Sequence, residues 1–231
     1  MTRAIALFLV AFAAATARAM PAEIVAEYQL SSVGVVIGRV NEAFERRGDT
    51  YSISSITRSE GVLKIVLDDS ITLQSEGRVV ATGLQPLVFK QRRASRHDKD
   101  ILATFDWDKG IMHAAYDGQE HEVALPAATQ DRISILYQFM NIAERPRVIT
   151  MPMSNGRKVE YYTYRFVDEV KLTTPAGDFQ TLHYERVNAD PKESKAQVWL
   201  AKDRFNLPVR VVFDDQRGLR LEQNLVALRT Q

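Results

Sequence analysis

Between Ile24 and Leu125 the chain runs in short stretches rich in valine, isoleucine, tyrosine, phenylalanine and threonine, a composition that suits strands. Glycine-bearing segments punctuate them: Arg47-Gly48-Asp49, Ser59-Glu60-Gly61, Ser75-Glu76-Gly77, Asp108-Lys109-Gly110 and Asp117-Gly118. Within the stretches the apolar period is two. Leu63, Ile65 and Leu67 alternate with Lys64, Val66 and Asp68, and Ile101, Ala103, Phe105 and Trp107 alternate with Leu102, Thr104 and Asp106. Successive side chains of a strand point to opposite faces, so each of these strands has one drier face. The pattern predicts consecutive antiparallel strands with a core on one side.

Thr129 to Ala143 breaks this period. Ile133, Leu136, Tyr137 and Met140 fall at i, i+3, i+4 and i+7, and Ile135, Phe139 and Ile142 widen the stripe. A helix is expected here, with Thr129 as N-cap, Asp131 placing negative charge in the first turn and Pro146 preventing continuation. So apolar a helix must be covered, and the preceding sheet is the available cover. Strand patterning then resumes in 147–151, Arg157 to Leu172 and Phe179 to Val187, with turns at Ser154-Asn155-Gly156 and Pro175-Ala176-Gly177-Asp178. In the stretch VWLAKDRFNLPVRVVF, Val198 and Leu200 face one way and Trp199 and Ala201 the other. Lys202-Asp203-Arg204 makes a charged turn, and Pro208 biases Leu207 toward extended backbone at the start of a second strand. The stretch reads as a hairpin.

Several of these segments, taken in order, resemble the bacterial exported family known as domain of unknown function 3108. They are Gly83-Leu84-Gln85-Pro86, Asp131-Arg132-Ile133-Ser134-Ile135-Leu136-Tyr137-Gln138, the Thr174 to Thr181 turn, and Val198-Trp199-Leu200-Ala201-Lys202-Asp203 followed by Leu207-Pro208-Val209-Arg210. The likeness spans nearly the whole chain beyond residue 19, and it implies a β-rich envelope protein. The C-terminal hairpin is also distantly similar to the lipoprotein-localisation half-barrel proteins, in which a curved antiparallel sheet cups a hydrophobic ligand. This chain departs from those lipid-handling members in having a single clear helix. The expected fold is therefore mainly β: a curved antiparallel sheet, half-barrel or open barrel, with one amphipathic helix packed against it.

The beginning of the chain adds a compartment. Met1, Thr2 and Arg3 precede an apolar run from Ala4 to Ala15, and Ala17-Arg18-Ala19 carries small residues where a signal peptidase cuts. Residues 1–19 read as a cleaved export signal and 20–231 as a single β-rich domain, periplasmic or secreted. The apolar run falls short of the roughly 18–20 residues that span a bilayer, and no later stretch approaches that length. With no cysteine there is neither a lipobox nor a disulfide. Without Arg3 and Arg18, 28 basic residues face 29 acidic ones, a net charge near −1 that provides no global field for nucleic acid.

Candidate chemistry is sparse. His113, Asp117, Glu120 and His121 crowd one segment, but a two-residue Asp117-Gly118 turn pairs Ala114 with His121 and His113 with Glu122, placing the two histidines on opposite faces. No metal, cofactor or catalytic residue is assigned. There is no GxSxG elbow and no phosphate-binding glycine loop, and Ser134 suits a hydrogen-bond network at the helix start. Lys90, Arg92, Arg93, Arg96, His97 and Lys99 form the densest basic run, either a solvated hairpin tip or a patch for an anionic partner centred on Arg92, Arg93 and Arg96. Tyr162, Tyr164 and Phe166 on one strand, with Trp199, Phe205 and Phe213 from the later hairpin, serve equally as core or as a ligand lining. The leading expectation is a non-enzymatic periplasmic protein holding a lipid or other amphiphile, with Tyr137, Met140 and Trp199 as ligand-binding residues. The alternative is a module that docks onto another envelope protein through a strand edge or the basic run.

Overall fold

The computed structural model describes residues 20–60, 70–142, 145–188, 194–215 and 218–231. The export signal, the Leu63-Ile65-Leu67 alternation and Ala143 lie outside the described residues. Among the described residues fifteen strands make one sheet: β1 Glu23–Ser32, β2 Val35–Arg47, β3 Thr50–Ser59, β4 Ser70–Val80, β5 Gly83–Arg93, β6 Ile101–Asp106, β7 Ile111–Tyr116, β8 Gln119–Ala124, β9 Gln130–Asp131, β10 Val148–Ser154, β11 Val159–Thr174, β12 Gly177–Val187, β13 Lys195–Ala201, β14 Leu207–Asp214 and β15 Arg220–Thr230. Their spatial order is β8-β7-β6-β5-β4-β3-β2-β1-β15-β14-β13-β12-β11-β10-β9, antiparallel throughout except for the short parallel pair of β9 with β10. Each arm is a meander, and β1 and β15 join the two arms. The sheet curves without closing, and β8 and β9 are its edges.

The hydrophobic alternation has the expected consequence. On β2, Val40, Glu42 and Phe44 turn inward, and on β3 Tyr51, Ile53 and Ser55 do so, while the intervening residues are more exposed. Cross-strand partners continue each face: Phe44 pairs with Ile24 on one side and Ile53 on the other. The Asp117-Gly118 hairpin has the expected register, Ala114 opposite His121 and His113 opposite Glu122. The hairpin of β13 and β14 is also as expected, its turn closed by Phe205 and Asn206 in the left-handed region.

Two expectations are corrected. Ser75-Glu76-Gly77 is no turn; it lies inside β4, where a bulge falls between Glu76 and Gly77. Glycine is needed there because a Cβ on residue 77 would stand 2.2 Å from the carbonyl oxygen of Gln85 and 2.8 Å from the Tyr51 ring. Gly77→Ala should therefore push β4 from β5 and cost about 1–3 kcal/mol, read as a lower urea midpoint at unchanged slope. The reversal between β1 and β2 goes through Val33 and Gly34, both at positive φ, and a β-branched residue there is an uncommon turn former that the sequence pattern does not disclose.

The second correction concerns the helix. Helix α1 spans only Ser134–Gln138, continued by a 3-10 turn at Phe139–Asn141, and Thr129 does not cap it. Residues 130 and 131 are drawn into pairing with Met153 and Ser154 of β10, and the Gln130 side-chain amide donates to the Leu84 carbonyl (2.8 Å). Asp131 supplies the capping instead: its Oδ1 accepts from the backbone N–H of Ile133 (3.0 Å) and Ser134 (2.9 Å), and Oδ2 accepts from Ser75 Oγ. Ser134 Oγ accepts the Asp131 N–H (2.8 Å), so Ser134 belongs to the helix-start network expected of it. Helix α1 sits inside the curve of the sheet. Ile133 and Tyr137 pack against Phe44, Tyr51 and Ile53, and Ile135 and Phe139 pack against Tyr164, Tyr184, Val198 and Leu200.

Candidate functional site

Helix α1 divides the interior of the sheet unequally. On its β2–β3 side the helix packs directly on the sheet. Phe44 stacks on Tyr137 with ring centres 5.2 Å apart, Tyr137 Oη donates to Glu42 Oε2 (3.2 Å), and Ser55 Oγ donates to Glu42 Oε1 (3.2 Å). Burial lifts the Glu42 carboxyl to a pKa of about 7 despite these two hydrogen bonds. Met140 is half-buried against the same cluster. Of the residues expected to bind ligand, Tyr137 and Met140 thus share one cluster, and Trp199 is elsewhere. It pairs with His183 and Arg210, stacks on the His183 imidazole at 4.2 Å and lies under the Arg210 guanidinium. Its strand neighbours Val198 and Leu200 face the helix, so the Trp199 side chain is turned away from it.

On the other side of α1 a cleft of about 690 Å³ remains between the end of β5 and strands β10 to β14. Its apolar lining includes Ile135 and Leu136 of α1 with Met153, Tyr162, Tyr164 and Phe213. Tyr162, Tyr164 and Phe213 belong to the aromatic set singled out in the sequence; Trp199 and Phe205 do not reach this lining. Six cations surround it: Arg93, Arg96, Lys99, Arg132, Arg157 and Arg186. Among the described residues no carboxylate belongs to the lining. The basic run is therefore split, Arg93 and Arg96 facing the cleft and the exposed Arg92 taking the other face of β5.

The cations are held in distinct ways. Arg157 pairs with Asp117 (3.0 Å) and lies over the Tyr116 ring, Arg96 pairs with Asp98 (3.6 Å), and Lys99 is 3.6 Å from both Asp98 and Asp117. These acids sit at the rim. Arg132 donates to the neutral amide oxygen of Gln91 (2.7 Å), and its pKa is held below the usual arginine value by burial and by the neighbouring Arg93. Arg132 itself is solvent-exposed and opens onto the cleft. The Arg186 guanidinium stacks on the Tyr162 ring, 3.7 Å from its centre. Arg132, Arg157 and Arg186 carry no signal in sequence, because they are far apart along the chain and only strand order brings them together.

His113 is 3.6 Å from Glu122, and His121 stacks on Tyr116. Among the described residues no group of three or more His, Asp or Glu side chains is placed to hold a metal ion. Among them, too, no helix is long and apolar enough to cross a membrane.

The fold and the cleft define the class: a half-barrel, a curved open antiparallel sheet around a short helix. The chain belongs to the protein family of unknown function DUF3108, whose model matches residues 27–224. Among solved structures it is similar to a β-barrel-like protein of the domain of unknown function DUF1849 from Brucella abortus, at 13% identity and a TM-score of 0.62, covering 92% of this chain and 99% of that one. A Bacteroides fragilis protein with a YmcC-like fold aligns over 91% of this chain and 96% of its own, at 12% identity and a TM-score of 0.34. A Vibrio parahaemolyticus domain whose description names outer-membrane lipoprotein sorting aligns over 90% and 85%, at 12% identity and a TM-score of 0.31. No curated protein matches the sequence.

Proposed function

We propose that this is a non-enzymatic, exported protein of the bacterial envelope that holds a hydrophobic or amphiphilic molecule in the cleft between α1 and strands β10 to β14. The observation that carries this reading is the lining: an aromatic and aliphatic floor under a polar mouth, on the β10–β14 side of α1. Such a surface suits an acyl chain, whose burial contributes roughly 0.8 kcal/mol per CH₂. The leader-like residues 1–19 support the compartment. The two carboxyls buried near α1, Glu42 and Asp131, are spent on Tyr137, Ser55, Ser75 and the helix start, which supports binding rather than catalysis. Tyr137 and Met140 contribute indirectly by fixing the helix that presents Leu136, which packs toward both sides.

Native mass spectrometry with solvent extraction, on protein prepared without detergent, tests this. A stoichiometric lipid-like mass is expected in the wild type, and Phe213→Glu should lose it at an unchanged melting temperature, because Phe213 is 37% exposed and borders the cleft. A clean mass that persists after mixing with envelope lipids would overturn the reading in favour of docking onto another envelope protein. Full cargo in Phe213→Glu would place the ligand outside the cleft.

A further inference from the structure

The turn between β1 and β2 directs its apolar side chains outward. Val33 is 84% exposed, Val35 is 56% exposed, and Val36 is exposed beside them. Single exposed aliphatic residues are ordinary on a protein surface, but three within four residues form a patch. Ser32 pairs with Val35, so Val33 and Gly34 are the two central residues of the turn, and both have positive φ, 50° and 78°. Asn-Gly is the sequence that favours this geometry, and a β-branched side chain opposes it. The turn therefore gives up stability to keep a valine at its tip, and backbone strain of this kind collects at working surfaces.

The tip is continuous with the cleft. Phe213 pairs with Ala196 on β13 and with Leu221 on β15, and Phe213 and Ala196 both line the cleft. Ser31 pairs with Glu222, and its Oγ donates to the Glu222 carbonyl (3.4 Å), so the next residues outward, Ser32 and Leu221, adjoin. Directly paired residues share a face, so one row on the cleft face runs from Ala196 through Phe213, Leu221 and Ser32 to Val35. Three strand spacings, about 14 Å, separate Phe213 from Val35. The charges of this end are matched: Arg39 pairs with Glu27 and Glu60, and Arg220 with Asp214 and Glu222. From this continuity we propose that the β1–β2 tip docks on a lipid surface, with Val33 and Val35 entering the acyl layer and the mouth of the cleft facing the head groups. Aliphatic side chains offer no hydrogen bonds and an acyl layer asks for none, and the row from Val35 to Phe213 gives an acyl chain an apolar route between bilayer and cleft. The docking goes beyond the cargo reading and does not need it, because empty protein can dock.

Flotation of the exported protein with phosphatidylcholine vesicles, which carry no net charge, tests this at low and high salt, with and without copurified lipid. Wild type should float at both salts, because matched charges leave apolar insertion as the attraction. Val33→Asn should weaken partition roughly tenfold, the effect of withholding one aliphatic side chain from lipid. Its melting temperature should hold or rise, since Asn-Gly suits the turn. A valine kept only for the fold would give the opposite pair of results, a lower melting temperature and unchanged flotation. Should Val33→Asn lower the melting temperature, Val35→Ser, in the regular ladder, carries the same tenfold test. Wild type that does not float would overturn the docking, and cargo found by native mass spectrometry would still leave the cleft reading standing. Undiminished flotation of both variants would place the contact on another surface and overturn it as well. Flotation that requires anionic lipid and vanishes at high salt would overturn apolar insertion in favour of a charged contact. Empty protein that floats would support the docking apart from any cargo.

Discussion

Phe44→Ala should lower stability by about 3–5 kcal/mol, the range for deleting a fully buried aromatic side chain. Phe44 has no exposed surface; it lies between Ile24 and Ile53 across the sheet and stacks on Tyr137 at 5.2 Å and Tyr51 at 6.4 Å. Its ring is the floor on which α1 rests, and the flanking strands, fixed by their own ladders, cannot close the gap. A helix of five residues has no stability of its own, so it depends on such contacts. For a chain of this length the loss corresponds to a fall of about 6–20 °C in melting temperature. Phe213→Ala, at the exposed mouth of the cleft, should cost under about 1 kcal/mol. A similarly small loss in Phe44→Ala would mean that α1 is held from its β10–β13 side alone.

The second large effect depends on pH. The Glu42 carboxyl titrates at about 7 in the folded chain, raised above its ordinary value chiefly by burial. Its folded pKa exceeds its unfolded one, so the folded state binds the proton more tightly between about pH 4.5 and 7, and stability falls as pH rises through that window. The fall should reach about 3 kcal/mol. Asp131, also raised by burial, acts with the same sign, while Tyr28 and Tyr137 near Glu42 stay neutral because burial lifts both well above the ordinary tyrosine range. Chemical denaturation of wild type and Glu42→Gln at pH 5 and pH 8 measures this. The variant should gain at pH 8 and lose most of the pH dependence, and an unchanged dependence would assign it to Asp131.

Where local rules decide, the sequence was readable. Asp117-Gly118 sets a hairpin register residue by residue, and Pro208 after a charged turn marks where β14 begins. Where partners distant in the chain decide, it was not. Gly77 has the look of a turn glycine, and only the approach of Gln85 and Tyr51 explains it. Thr129 to Arg132 continue a helical spacing, yet β10 claims the backbone of 130 and 131 and moves the start of α1 to Ser134. Alternation along β13 assigns Trp199 and Leu200 to opposite faces without saying which face meets the helix, so Trp199 was grouped with Tyr137 although the two lie in different clusters. The cleft was half legible: its aromatic floor and two of its arginines stand out in the sequence, but Arg132, Arg157 and Arg186 do not.

The join of β1 to β15 bears on the order in which the molecule assembles. Most other joins link strands that follow one another along the chain and need only short loops to close, so each arm can zip from hairpin to hairpin. Pairing Tyr28 with Leu225 instead closes a loop of roughly 200 residues, whose entropy is lost in one step. That step is easiest once both arms have shortened the effective loop by folding. The β1–β15 ladder is thus the natural last event of folding, and before it forms both strands present unpaired backbone to any other chain nearby.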